Sequence, residues 1–154
     1  MVTLKPISRI EYSEFIRAIL GPYAEERSAA DGVSLAAAER HARDQMDRLL
    51  PDGYDTDGHH FLRIVPRDGG PGAGSVWLHI DRRERAAFLY YITVLPECRR
   101  RGYASAAMGC VENLARREGC ARLALNVFAA NAGAIALYRK LGFDVASMHM
   151  NKRL

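Results

Sequence analysis

The chain has 154 residues, 49% hydrophobic, 26% charged and 8% aromatic, a balance that excludes a mainly disordered or fibrous protein and suits one globular domain over residues 1–154. The longest stretch without a formal charge, residues 123–138, is shorter than a membrane span of roughly 20 residues and contains Asn126 and Asn131, so no transmembrane helix is expected. The net charge of +4 is uneven: residues 1–70 hold 9 Lys and Arg against 12 Asp and Glu, and residues 71–154 hold 13 against 6. That asymmetry points to an anionic ligand in the second half and a cationic partner for the first.

Near the N-terminus, Lys5, Arg9 and Glu11 interrupt the apolar run that a secretory leader needs, and a cytoplasmic location is the expectation. Helical character follows over residues 8–30 and 34–50; in the second, Ser34 can cap, and Leu35, Ala38, Ala42, Met46 and Leu49 recur at helical spacing. Pro51-Asp52-Gly53 stops it. Strand-like runs then occupy residues 60–65, 74–80 and 86–95, with the glycine-rich segment 67–75 as a loop between the first two. The adjacent His59 and His60 project to opposite faces of a strand and form no metal motif. Cys98, Cys110 and Cys120 are an odd number without a CxxC pair, so neither a disulfide framework nor a zinc site is suggested.

From residue 102 the pattern becomes alternately helical and strand-like. Residues 102–117 place Ala104, Ala107, Met108, Val111, Leu114 and Ala115 on one face, residues 121–127 alternate, residues 132–141 are helical up to Gly142, and residues 143–154 read as a final strand or hairpin. Helices, a three-strand meander and then helix, strand, helix, strand make an α+β or mixed α/β sandwich.

The chemistry concentrates where the third meander strand runs through Pro96-Glu97-Cys98 into Arg99, Arg100, Arg101, Gly102, Tyr103, Ala104 and Ser105. A helix N-terminus carries unpaired N–H groups and a partial positive charge, and three arginines strengthen it as an anion site. GxxxxGK[ST] is absent, and GGPGAG precedes a strand rather than a helix, so neither a P-loop nor a dinucleotide fingerprint is supported.

Arg99-Arg100-Arg101-Gly102-Tyr103-Ala104 resembles the Arg/Gln-x-x-Gly-x-Gly/Ala acetyl-CoA loop of the GCN5-related N-acetyltransferases (GNAT family). Residues 131–143 match that family's later segment N-x-x-A-x-x-L-Y-x-K-x-G-F. The resemblance covers about residues 86–145. It implies six or seven strands in a mostly antiparallel sheet splayed at its centre and flanked by about four helices. It further implies acetyl-CoA as donor, with backbone contacts from Ile92 and Val94, Thr93 also among the cofactor-binding residues, and the pyrophosphate held by residues 99–105. Asn131 and Ala134 would lie beside the cofactor, and Tyr138 would be the general acid that protonates the departing thiolate.

Without the resemblance, Asn131 reads as a helix N-cap and Tyr138 as a packed aromatic. Many relatives carry an acid on the strand before the loop, where this chain has Tyr91, so the base that deprotonates the amine is unassigned; Asp81, Glu84 and His79 read equally well as turn or surface residues. Direct transfer in a ternary complex is expected over acylation of Cys98, for which no activating base is apparent. Two rivals stay open: an acyl-CoA-binding protein without catalysis, and an arginine-rich nucleic-acid module. Against the second stands the absence of any nucleic-acid signature. The expected partners are acetyl-CoA and an amine, with Glu25, Glu26 and Asp31 favouring a cationic one, no specific nucleic acid, no membrane, and a monomeric or homodimeric chain.

Overall fold

The computed structural model describes residues 1–154. The chain divides into two compact units, residues 1–13 with 52–126 and residues 14–51 with 127–154. The first holds the sheet. Five strands, β1 (Val2–Pro6), β2 (His59–Pro66), β3 (Gly74–Asp81), β4 (Ala86–Val94) and β5 (Arg122–Leu125), lie side by side in chain order. The first four pair antiparallel, and β5 joins β4 in parallel through α3 (Tyr103–Arg117).

Alternation along these strands separates two faces. One carries Leu62, Ile64, Val76, Leu78, Ile80, Ala87 and Leu89, all buried. Helix α3, which packs on β1 and β4, buries Ala107, Met108, Val111 and Ala115. Each large apolar side chain withdrawn from water here contributes about 1.5–3 kcal/mol before chain entropy is counted. The other face is aromatic: His59 and Phe61 of β2, Trp77 and His79 of β3, and Phe88 and Tyr90 of β4 form a continuous series of ring contacts.

Helix α1 (Arg9–Asp31) begins with a capping box, in which the Glu11 amide donates to Ser8 Oγ at 3.3 Å and the Ser8 amide donates to Glu11 Oε2 at 2.7 Å. It continues into the second unit, where α2 (Leu35–Leu49) is capped by Ser34 Oγ accepting from the Ala37 amide, and α4 (Ala132–Lys140) follows.

The mixed α/β class, the mostly antiparallel sheet and the four helices agree with expectation, but the strand count does not. There are five strands rather than six or seven. Residues 143–154 are not a strand, because no neighbouring segment supplies the inter-strand hydrogen bonds that define one. β1 is not apparent from the sequence: it is short and charged at Lys5, ends in Pro6, and is recognisable only through its pairing with β2. No helix is long and apolar enough to cross a membrane.

Candidate functional site

The opening in the sheet is visible in the pairing. β5 is bonded to β4 only along Ala86–Leu89 of β4, so residues 90–94 have β3 on one side and no strand on the other. Along that stretch the Ile92 N–H and C=O and the Val94 N–H face away from β3 and can meet an extended ligand. The gap begins at a β-bulge: Trp77 stands opposite Tyr91 and Leu78 opposite Leu89, leaving Tyr90 as the extra residue. A bulge bends its strand and increases the local twist, which accounts for β4 leaving β5 here. Ile92, Thr93 and Val94 all lie on this open stretch. Gly74 is what allows β3 to stay close to it, since a Cβ at that position would collide with the Thr93 carbonyl.

After Val94 the chain makes a short 3-10 turn at Pro96–Cys98 and enters α3. Arg99 Nε donates to the Val94 carbonyl at 3.1 Å, tying the loop to the end of β4. Arg100 (φ +61°) and Gly102 (φ +79°) are left-handed, and Arg101 between them is not. Such alternation turns successive amides inward as an anion-binding nest. The first intrahelical bond runs from the Ala106 amide to the Gly102 carbonyl. The amides of Tyr103, Ala104 and Ser105 therefore precede the helical ladder, and no side chain caps them. Three exposed guanidiniums flank these donors. The donor set fits a pyrophosphate. Gly102 is needed for its backbone angle rather than for space, because a Cβ there would meet only the Met1 side chain at ordinary contact distance.

Asn131, Ala134 and Tyr138 belong to the second unit and are described within it. Asn131 caps α4, its Oδ1 accepting from the Ala134 amide at 3.2 Å, which leaves its Nδ2 as the group able to donate elsewhere. Tyr138 is half-buried, edge-on to Phe143 at 5.7 Å between ring centroids, and burial raises its phenol above the ordinary value of 10. It stays protonated through the neutral range, the state a proton donor requires.

The aromatic face beside the bulge carries no motif in the sequence; only the strand register assembles it. Trp77 stacks on the extra residue Tyr90 at 4.5 Å and donates its indole N–H to His59 Nδ1 at 2.9 Å. Because indole is a donor only, His59 is neutral with its proton on Nε2. Burial, then the neighbouring His79 and His60, lower its pKa to about 4. His59 therefore cannot supply the missing base. A group whose folded pKa lies below its unfolded value of about 6.5 opposes folding as pH falls through that interval. Stability should decline between pH 6.5 and about 4, by about 1–2 kcal/mol from this ring given that it is only half buried. His59→Asn, which can still accept from Trp77 but does not titrate, is expected to flatten the melting temperature across that range. An equally steep acid decline in the variant would assign the loss to other groups.

Cys98 has no hydrogen-bonded activating base, and no cluster of His, Cys, Asp and Glu is placed to hold a metal. Of the acidic residues expected to attract a cation, Asp31 is engaged by Arg27 at 3.3 Å, and burial raises the Glu26 carboxyl.

The model of the acetyltransferase (GNAT) family matches residues 22–143. The chain belongs to this family. An uncharacterized N-acetyltransferase of Bacillus subtilis (strain 168), YdgE, is 29% identical to this GNAT chain over 99% of it and 98% of the relative. YycN of the same organism is also 29% identical over 99% of both chains, and its crystal structure superposes with a TM-score of 0.92 over 100% of this chain and 99% of that one. A more distant structure shares the GNAT fold at 18% identity and a TM-score of 0.60, over 100% of this chain and 98% of that one: AAC(6')-Iy, in complex with a bisubstrate analog, CoA-S-monomethyl-acetylneamine.

Proposed function

We propose that this GNAT protein is an N-acetyltransferase that passes the acetyl group of acetyl-CoA directly to an amine, with residues 1–154 acting as one domain. The observation that carries the reading is the junction of an open β4 edge with an uncapped, arginine-flanked helix N-terminus. An edge offering backbone amides suits the amide-bearing pantetheine arm, and the nest that follows suits a pyrophosphate. The complex of AAC(6')-Iy, which shares this fold, with a CoA-linked amine analog supports the same class of donor and acceptor.

Acetyl-CoA brings a thioester whose carbonyl is open to attack by an amine. In the proposed roles, Ile92 and the Val94 amide offer backbone groups to the arm with Thr93 between them, residues 99–105 hold the phosphates, and Asn131 Nδ2 donates alongside Ala134. Tyr138 holds the proton that the departing thiolate takes. Because the loop and the strand edge fix the donor through backbone groups, catalysis rests mainly on positioning, with one proton delivered at the sulfur.

The acidic N-terminal half supports a cationic amine as acceptor. Parallel assays with cationic amines, neutral amines and alcohols at equal concentration should give the highest kcat/KM for the cationic amines, and that preference should weaken as salt rises. Turnover of a hydroxyl acceptor without turnover of any amine would contradict the reading.

A further inference from the structure

The β4 bulge gives Tyr90 a place that its neighbours in the strand lack. As the extra residue it has no partner in β3, and a bulge re-aims such a side chain out of the regular alternation. Its ring lies on the aromatic face, stacked on Trp77 at 4.5 Å with 24° between the planes, and 4.6 Å from Phe88. Trp77 is 3% exposed and is held by His59, which accepts from its indole N–H at 2.9 Å. The platform is therefore fixed, while Tyr90 and Phe88 are only half-buried and within reach of a solute.

Topology sets Tyr90 beside the reacting atoms, a step that rests on the acetyl-transfer reading above. With its phosphates in the nest beyond Val94 and its amides on Ile92 and Val94, the arm of acetyl-CoA runs back along β4 toward Tyr90. It can follow the edge no further, because from Leu89 to Ala86 that edge is taken by β5. The thioester thus stops at the bulge. One face of the sheet is closed there, with Val76, Leu78, Met108 and Val111 fully buried among the strands and α3. An acceptor reaches the thioester from the aromatic face, across Tyr90.

The chemistry of such a seat decides what it selects. Aromatic faces carry a negative quadrupole potential, which attracts an ammonium group. His59 adds no positive charge to oppose it, being neutral with its pKa lowered to about 4. Phe88 offers apolar surface and no hydrogen bond, so a hydroxylated stem laid on it would lose water without compensation. We infer that Tyr90 is the specificity-determining residue for the acceptor, its ring seating a primary ammonium on an apolar stem in preference to a neutral or polyhydroxylated amine.

Trp77 is the only tryptophan of the chain, so its fluorescence reports what settles on the platform. With CoA at saturation and no acetyl donor, choline should change Trp77 emission. It should bind about 2–30-fold more tightly than its uncharged carbon isostere 3,3-dimethylbutan-1-ol, the span expected of a cation on an aromatic face. Y90F, which keeps the ring, should retain that preference. Y90L, which keeps the bulk without the ring, should remove it and still bind CoA. In turnover with acetyl-CoA, butylamine should exceed glucosamine in kcat/KM, and Y90L should narrow the gap. The wild-type comparisons need no variant and stand whether or not Y90L folds. Equal binding of the two isosteres, no response of Trp77 emission, an undiminished preference in Y90L, or a higher kcat/KM for glucosamine would overturn the inference. Ammonium selectivity without acetyl transfer to any amine would instead overturn the transfer reading and leave Tyr90 as an ammonium seat.

Discussion

Tyr138→Phe is expected to leave acetyl-CoA affinity unchanged and to lower kcat and kcat/KM together by about 10²–10⁴-fold, the usual contribution of a positioned general acid. The ring that meets Phe143 remains, so the packing of the second unit is preserved, and only the hydroxyl is lost. The expected pH dependence has a definite sign. Burial raises the Tyr138 phenol, so the active, protonated form persists to higher pH than in a free phenol, and the alkaline fall of the wild-type rate is displaced upward accordingly. A thiolate with a solution pKa of about 8.5 draws a proton from water less readily than from a phenol held beside it, and the Phe variant should lack the alkaline limb assigned to this group. The measurement is a pre-steady-state rate for the chemical step, which separates it from release of products. An unchanged chemical rate would leave Tyr138 a packing residue.

Gly102→Val is expected to abolish the thermal stabilisation by acetyl-CoA, about 2.7 kcal/mol at a ligand concentration a hundred times Kd. The cause lies in the backbone. Gly102 caps α3 at φ +79°, a region that a β-branched residue enters only at a cost of about 1–3 kcal/mol, and relaxing that angle would turn the Tyr103, Ala104 and Ser105 amides away from a common centre. Gly119 supplies the matched control. It sits at φ +83° beyond the other end of the same helix, with open space where a Cβ would project, so Gly119→Val should lose comparable stability and keep the acetyl-CoA shift. Equal loss of ligand response in both variants would show that binding depends on general stability and not on the nest.

The parts legible in the sequence are those whose signal is local. The α3 helix, its arginine-flanked entry and the Asn131-to-Phe143 segment are contiguous patterns with a single mechanical meaning each, and they point to the family that residues 22–143 match. What is illegible depends on pairing between distant residues. The bulge at Tyr90 has no signature in Tyr90-Tyr91, because either tyrosine suits a strand; it is defined only by the register against Trp77 and Leu78. The His59 to Trp77 hydrogen bond joins residues 18 apart in sequence, and it converts what reads as a bare histidine pair into a fixed neutral imidazole. Residues 143–154 read as a final strand or hairpin, yet a strand is defined by a partner's hydrogen bonds, which the sequence of one segment does not carry. Asn131 keeps both of its readings: its Oδ1 caps α4, and its Nδ2 is free to serve a ligand.

The central claim, acetyl transfer from acetyl-CoA to an amine, is tested most directly by following the appearance of free CoA thiol from acetyl-CoA with and without each member of a broad amine panel, with the acetylated product identified by mass spectrometry. Thiol release that requires an amine, equals the acetylamine formed and is lost in Tyr138→Phe is the result the account predicts. Tight acetyl-CoA binding with no amine-dependent thiol release across the panel would contradict it, and would leave a protein that holds the cofactor without catalysing transfer.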